Sequence, residues 1–131
     1  IRTRTGPRDA ELRKARVCYN HLAGAMGLQI YDSLVRRDFL QLSDGRLDLT
    51  EQGAAFVRRF GVDLDALAKQ SAPLCRECLD WSERRSHLAG SLGRALLARM
   101  EDIGWVHRVE GTRILRFSKE GERAFIRAFP L

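Results

Sequence analysis

The chain repeats itself at a fixed offset, and few properties constrain a fold more than an internal repeat. His21-Leu22-Ala23-Gly24-Ala25-Met26-Gly27 returns as His87-Leu88-Ala89-Gly90-Ser91-Leu92-Gly93, an offset of 66 with five of seven positions identical. At the same offset Leu34 falls on Met100, Phe39 on Trp105 and Leu40 on Val106. Farther on, Leu49-Thr50-Glu51-Gln52-Gly53 corresponds to Phe117-Ser118-Lys119-Glu120-Gly121 at offset 68, so the second copy carries two extra residues and a loop between these blocks. A length of 131 residues admits one compact domain or two small fused units. The repeat selects two units.

Hydrophobic spacing gives both units the same reading. Leu88, Leu92, Leu96, Met100 and Ile103 recur at helical steps with Arg94, Arg99 and Glu101 between them, and Gly104 ends the run. The β-favouring stretches 105–109 and 113–117, joined by Glu110-Gly111-Thr112, predict a hairpin. Ser118 is placed to cap a closing helix carrying Ala124, Phe125 and Phe129. In the first unit the pattern predicts a helix near 21–38, strands near 39–42 and 46–49 around Ser43-Asp44-Gly45, and a helix from Thr50 to Phe60. Residues 9–20 read as helical and could run on into the next helix. A short helix capped by Asp63 is predicted over 62–70, followed by a loop at Ser71-Ala72-Pro73.

Helix, two-stranded wing, helix is the order found in the second half of a winged-helix unit. The phrases from Leu34 through Phe39-Leu40 to Leu49-Thr50-Glu51-Gln52-Gly53, and from Leu97 through Gly104-Trp105 to Phe117-Ser118-Lys119-Glu120-Gly121, resemble the end of winged-helix regulators. The expected fold is therefore α+β, two tandem degenerate winged-helix-like repeats. The divisions are a linker over 1–8, a first repeat over 9–61, a connecting helix and loop over 62–75, and a second repeat over 76–131.

Arginine dominates the charge. Of 23 Lys+Arg, 20 are arginine, and against 17 Asp+Glu they leave a net charge of +6 and a pI near 9.9, a balance that attracts anions including nucleic acid. Arg36, Arg37, Arg108, Arg113 and Arg116 could touch phosphates, which supply affinity without sequence information. Base reading is another matter. Gly27 to Asp38 and Gly93 to Gly104 are each only 11 steps, too few for a turn plus a recognition helix. No apolar run approaches the ~18–20 residues that span a bilayer, and no signal segment opens the chain, so the expectation is a soluble, cytoplasmic protein without membrane partners. The start at Ile1, polar, basic and broken by Gly6-Pro7, reads as a linker cut from a longer polypeptide.

Arg16-Val17-Cys18-Tyr19-Asn20-His21-Leu22-Ala23-Gly24, together with the stretch from Cys78-Leu79-Asp80-Trp81 to His87-Leu88-Ala89-Gly90, resembles the C-terminal region of a group of bacterial ArsR-type winged-helix transcriptional regulators. The similarity covers about 5–129. It implies a dimeric, repressor-like protein whose DNA-binding domain lies N-terminal to this segment, with DNA as the partner of the whole protein and a small effector that membership does not identify. The chain is then an effector-sensing or dimerisation module, with direct DNA contact through basic wings and a zinc or thiol-sensing module as alternatives.

Three cysteines without a secretory signal argue for thiols rather than a disulfide framework. Cys18 stands three before His21 and Cys75 three before Cys78, spacings that can aim two ligands at one ion. Cys18, His21, Cys75, Cys78 and His87 are thus the candidate metal or thiol site. The competing reading makes Cys18 and Cys78 small hydrophobes, each repeat histidine a hydrogen-bond partner of the other unit, and each glycine a point of close helix packing. No cofactor is expected on that reading, and zinc or another thiophilic metal is the alternative. Trp81 and Trp105 could line an effector pocket between the units, or simply fill the core. A P-loop, a dinucleotide fingerprint and a Gly-x-Ser-x-Gly turn are all missing from the sequence, and although Cys18 with His21 could make a nucleophile pair, no enzymatic activity is expected.

Overall fold

A computed structural model of the chain describes residues 9–80 and 85–131. The fold is α+β, built among the described residues from helices and four separate two-stranded antiparallel hairpins. After a short helix α1 (Ala10–Lys14) come β1 (Arg16–Cys18), β2 (His21–Ala23), α2 (Ala25–Arg36), β3 (Leu40–Ser43), β4 (Arg46–Leu49) and α3 (Glu51–Phe60). A second short helix, α4 (Leu64–Ala68), leads to β5 (Arg76–Asp80), β6 (Arg85–Ala89), α5 (Gly90–Asp102), β7 (Val106–Arg108), β8 (Leu115–Phe117) and α6 (Lys119–Ala128). Hairpin, helix, hairpin, helix thus occurs twice along the chain. Among the described residues no helix is long and apolar enough to cross a membrane.

The elements before α2 and α5 differ from the expectation. Residues 9–20 are not one helix: α1 lasts five residues, Ala15 is already extended (φ −156°, ψ 125°), and the chain turns into β1. The His-Leu-Ala triplets are strands rather than first helical turns, β2 pairing with β1 and β6 with β5. A winged helix would need a positioning helix there, and a hairpin stands in its place. The cause lies in Gly24 (φ 83°) and Gly90 (φ 81°), which turn the chain from strand into helix in the left-handed region. A side chain at either would collide with backbone, its Cβ falling 2.7 Å from the Arg13 or the Leu74 carbonyl oxygen.

The second hairpin and closing helix of each set follow their sequence pattern closely. Thr50 and Ser118 cap α3 and α6, accepting hydrogen bonds from the Gly53 and Gly121 amides at 3.0 and 2.9 Å. The amides of Thr50 and Ser118 donate to the carbonyls of Phe39 and Trp105 at 3.0 and 3.1 Å. Those carbonyls also explain the glycines of the Thr/Ser-x-x-Gly phrase. A Cβ at Gly53 would stand 2.1 Å from the Phe39 oxygen, and one at Gly121 2.3 Å from the Trp105 oxygen.

The core is shared by both halves. Leu34 on α2, Val57 on α3, Leu92 and Met100 on α5, and Phe125 and Phe129 on or beside α6 are fully buried. Each such apolar side chain contributes roughly 1.5–3 kcal/mol by leaving water. The packing crosses over, α2 lying on β6 and α5 on β2, so each helix covers the hairpin of the other set. β1 is further tied to the segment leading into β8, the Val17 amide donating to the Arg113 carbonyl at 2.9 Å and the Leu115 amide to the Ala15 carbonyl at 3.1 Å. This crossing brings the two histidine hairpins face to face.

Candidate functional site

The site forms where β2 and β6 meet. In the first hairpin Cys18 pairs across the strands with His21, joined by the two-residue turn Tyr19-Asn20, with Tyr19 in the left-handed region (φ 59°). In the other hairpin Cys78 pairs with His87, although nine positions separate them in sequence. Each hairpin therefore presents one sulfur and one imidazole side by side. The crossed helices press them together: a Cβ at Gly93 would lie 3.3 Å from the His21 Cβ, and one at Gly27 3.6 Å from the His87 Cβ. Glycine at these positions lets each helix approach the opposing histidine.

The two imidazoles touch through their Nε2 atoms at 2.8 Å, with ring centroids 4.8 Å apart and planes tilted by 45°. Each residue of the set offers one ligand atom, and the four atoms from Cys18, His21, Cys78 and His87 all lie within 4.8 Å of one another. Both histidines are buried and both cysteines partly so. Burial, with the neighbouring His87 adding, holds the His21 imidazole down at about 4. Burial lowers His87 too, against the opposing pull of Asp80. The rings are neutral at physiological pH, one donating the Nε2 proton and the other accepting it. Burial, with Cys18 adding, pushes the Cys78 thiol up to about 11.

Behind His87 stands a buried charge pair that sequence reasoning missed. Asp80 Oδ2 lies 3.3 Å from His87 Nδ1, a contact without hydrogen-bond alignment, and accepts the Gly24 amide at 2.6 Å. Asp80 Oδ1 is bonded at 3.1 Å by the Arg16 guanidinium, which also donates to the Leu12 carbonyl at 3.0 Å. The Asp80 side chain is wholly buried and that of Arg16 6% exposed. Buried charges survive only when paired and hydrogen-bonded, so this pair fixes the carboxylate against the ring. Arg16 opens the first histidine stretch and Asp80 lies in the second, but composition cannot tell a buried pair from two solvated charges.

Cys75 is not part of the cluster. It lines a separate open groove of about 530 Å³ between β4 and β5, where burial, with Asp48 adding, pushes its thiol up. A second cleft, of about 300 Å³, opens directly onto the cluster and is lined by Tyr19, Asn20, His21, Cys78, Ser91 and Arg94 among others. Trp105 packs edge-on against Phe60 at 5.4 Å, within an aromatic group that includes Phe56 and Phe129. Trp81 lies outside the described residues.

The candidate phosphate-contacting arginines are dispersed in role. Arg37 lies over the Phe39 and Phe56 rings at 4.7 and 4.8 Å and donates to the Ala128 carbonyl at 2.8 Å, tying α2 to α6. Arg108 pairs with Glu101 at 3.1 Å, and Arg116 bonds Glu11 through Nε and Nη2 at 2.9 and 3.0 Å. Arg36 and Arg113 are exposed and form no ion pair among the described residues.

No family model matches the chain, and no solved structure matches it. The chain is similar to an uncharacterised HTH-type transcriptional regulator, YdfF, of Bacillus subtilis (strain 168), at 41% identity over 115 residues. The match covers 88% of this chain and 51% of that protein, so the chain spans about half the length of this curated relative.

Proposed function

We propose that this chain is the effector-sensing or dimerisation module of a helix-turn-helix transcriptional regulator, acting in the cytoplasm as part of a homodimer whose DNA-reading helices lie in another part of the polypeptide. The similarity to half of such a regulator supports the class. One structural observation carries the division of labour. The helices that a winged-helix reader would lay in the major groove, α2 and α5, are buried along Leu28, Ile30, Leu34, Leu92, Leu96 and Met100 and emerge straight from strands. A recognition helix needs a positioning helix joined to it by a short turn, and here a hairpin strand precedes each. The two halves read as tandem units of one ancestral pattern, degenerate with respect to a winged helix and joined at their histidine hairpins.

Direct contact through the wings has less support, because Arg108 and Arg116 already neutralise Glu101 and Glu11. Fluorescence anisotropy of this chain with duplex DNA at low and physiological salt tests the assignment. Weak binding in the range ~10⁻⁴–10⁻⁶ M that fades with salt and ignores sequence is the expected result. Tight, sequence-selective binding by this chain alone would overturn it. Sedimentation analysis checks the dimer.

A further inference from the structure

We propose that Cys18, His21, Cys78 and His87 form one tetrahedral site for a thiophilic divalent cation of the zinc class, shared between the β1–β2 and β5–β6 hairpins. The donor set is two sulfurs and two imidazole nitrogens converging from four strands. Sulfur-nitrogen tetrahedra of this kind select zinc-like ions over hard cations such as magnesium or calcium. With metal–nitrogen bonds of about 2.0–2.1 Å and metal–sulfur bonds of about 2.3 Å, the edges of such a tetrahedron measure about 3.3–3.8 Å. The four atoms lie within 4.8 Å of one another, so side-chain rotations of about an ångström complete the figure. The 2.8 Å gap between the two Nε2 atoms opens to about 3.3 Å when both face one ion.

The surroundings suit that role. Ligation through Nε2 leaves the His87 Nδ1 proton on the side of Asp80 Oδ2, 3.3 Å away, where a small rotation of the ring aligns the two, and a carboxylate behind a ligating histidine fixes its tautomer and raises its basicity. Charge closes as well: a doubly positive ion with two thiolates and two neutral imidazoles has no net charge, and Asp80 is already balanced by Arg16. Loading displaces two thiol protons to solvent and changes no oxidation state. The cleft beside Tyr19 and Arg94 provides a way in. The site joins the two halves of the chain, and its existence does not depend on the regulator reading.

The test uses the full chain purified without metal-affinity steps. Elemental analysis should find about one equivalent of zinc per chain, lost to a strong chelator and recovered on adding zinc. Cobalt(II) added to the stripped protein should give the intense visible bands of a tetrahedral ion together with near-ultraviolet thiolate charge transfer. Cys18→Ser and Cys78→Ser should each abolish stoichiometric uptake, Asp80→Asn should weaken it by about 10–100-fold, and Cys75→Ser should leave it unchanged. The cobalt spectrum of the unaltered chain decides the matter even if a variant fails to fold. No stoichiometric uptake by the unaltered chain, a pale six-coordinate spectrum, or uptake that survives Cys18→Ser and Cys78→Ser would each overturn the proposal.

Discussion

His21 and His87, sixty-six positions apart, meet Nε2 to Nε2 at 2.8 Å, each pressed forward by a helix from the other half of the chain. The contact unites the two copies of the His-Leu-Ala-Gly phrase at one point. Around it lie a buried ion pair, two crossed helices and two cysteines, and several consequences can be measured.

Removal of Asp80 should be costly. Asp80→Ala strands the Arg16 charge and the Gly24 amide in the interior, and breaking a buried pair in this way destabilises by about 3–5 kcal/mol. The double variant Arg16→Met with Asp80→Leu should recover only part of the loss, because the Gly24 amide still lacks its acceptor. Urea titrations of the three proteins measure both effects.

Glycines of the same type should differ sharply by position. Gly53→Ala and Gly121→Ala drive a methyl group into the Phe39 and Trp105 carbonyls and should each cost about 1–3 kcal/mol, despite the better helix propensity of alanine. Gly45 (φ 77°) has open space around it, and Gly45→Asn should stay within about 0.5 kcal/mol of the parent, since asparagine tolerates the left-handed region. Thermal melting in one buffer ranks the three.

The two helix caps should not be equivalent. Ser118→Ala removes one cap bond and should cost about 1 kcal/mol. Thr50 caps α3 in the same way and in addition donates from Oγ1 to the Asp38 carbonyl at 2.6 Å, so Thr50→Ala should cost more, up to about 2 kcal/mol. Paired chemical denaturation curves with unchanged slopes would confirm the order.

Cys75 should be an inert thiol until the pH is high. Burial, with Asp48 adding, pushes it from about 9 up to about 12. Between those values the unfolded chain gives up the proton and the folded chain keeps it, so stability declines as pH rises through that window. Urea midpoints at pH 8 and pH 10 should fall more in the parent than in Cys75→Ser. Alkylation of Cys75 at pH 8 should also be slower in the folded protein, on the order of a thousandfold, because the thiolate is the nucleophile.

The sequence by itself determined the local elements whose signals are local. Thr50 and Ser118 announce their helices because a hydroxyl three residues before a glycine amide is a complete capping geometry within four residues. The β3–β4 and β7–β8 hairpins follow from alternation and turn residues, and α4 from Asp63, whose side chain accepts the Ala66 amide at 3.1 Å. The repeat also marked the histidines as equivalent before any contact was known.

Only the tertiary structure decided what those histidines do. His-Leu-Ala is a strand rather than a helical turn because it pairs with Arg16-Val17-Cys18 or Arg76-Glu77-Cys78, partners that a hydrophobic period cannot specify. The two Cys-x-x pairs in the sequence suggested a site containing Cys75, yet strand register selects Cys78 and His87 across a longer hairpin and leaves Cys75 in another groove. The pairing of Arg16 with Asp80, 64 positions apart, came from the crossing of the two halves. Spacing along a chain fixes which ligands can share a turn, whereas the meeting of two hairpins depends on helices packing over each other's strands, and that is a property of the whole core.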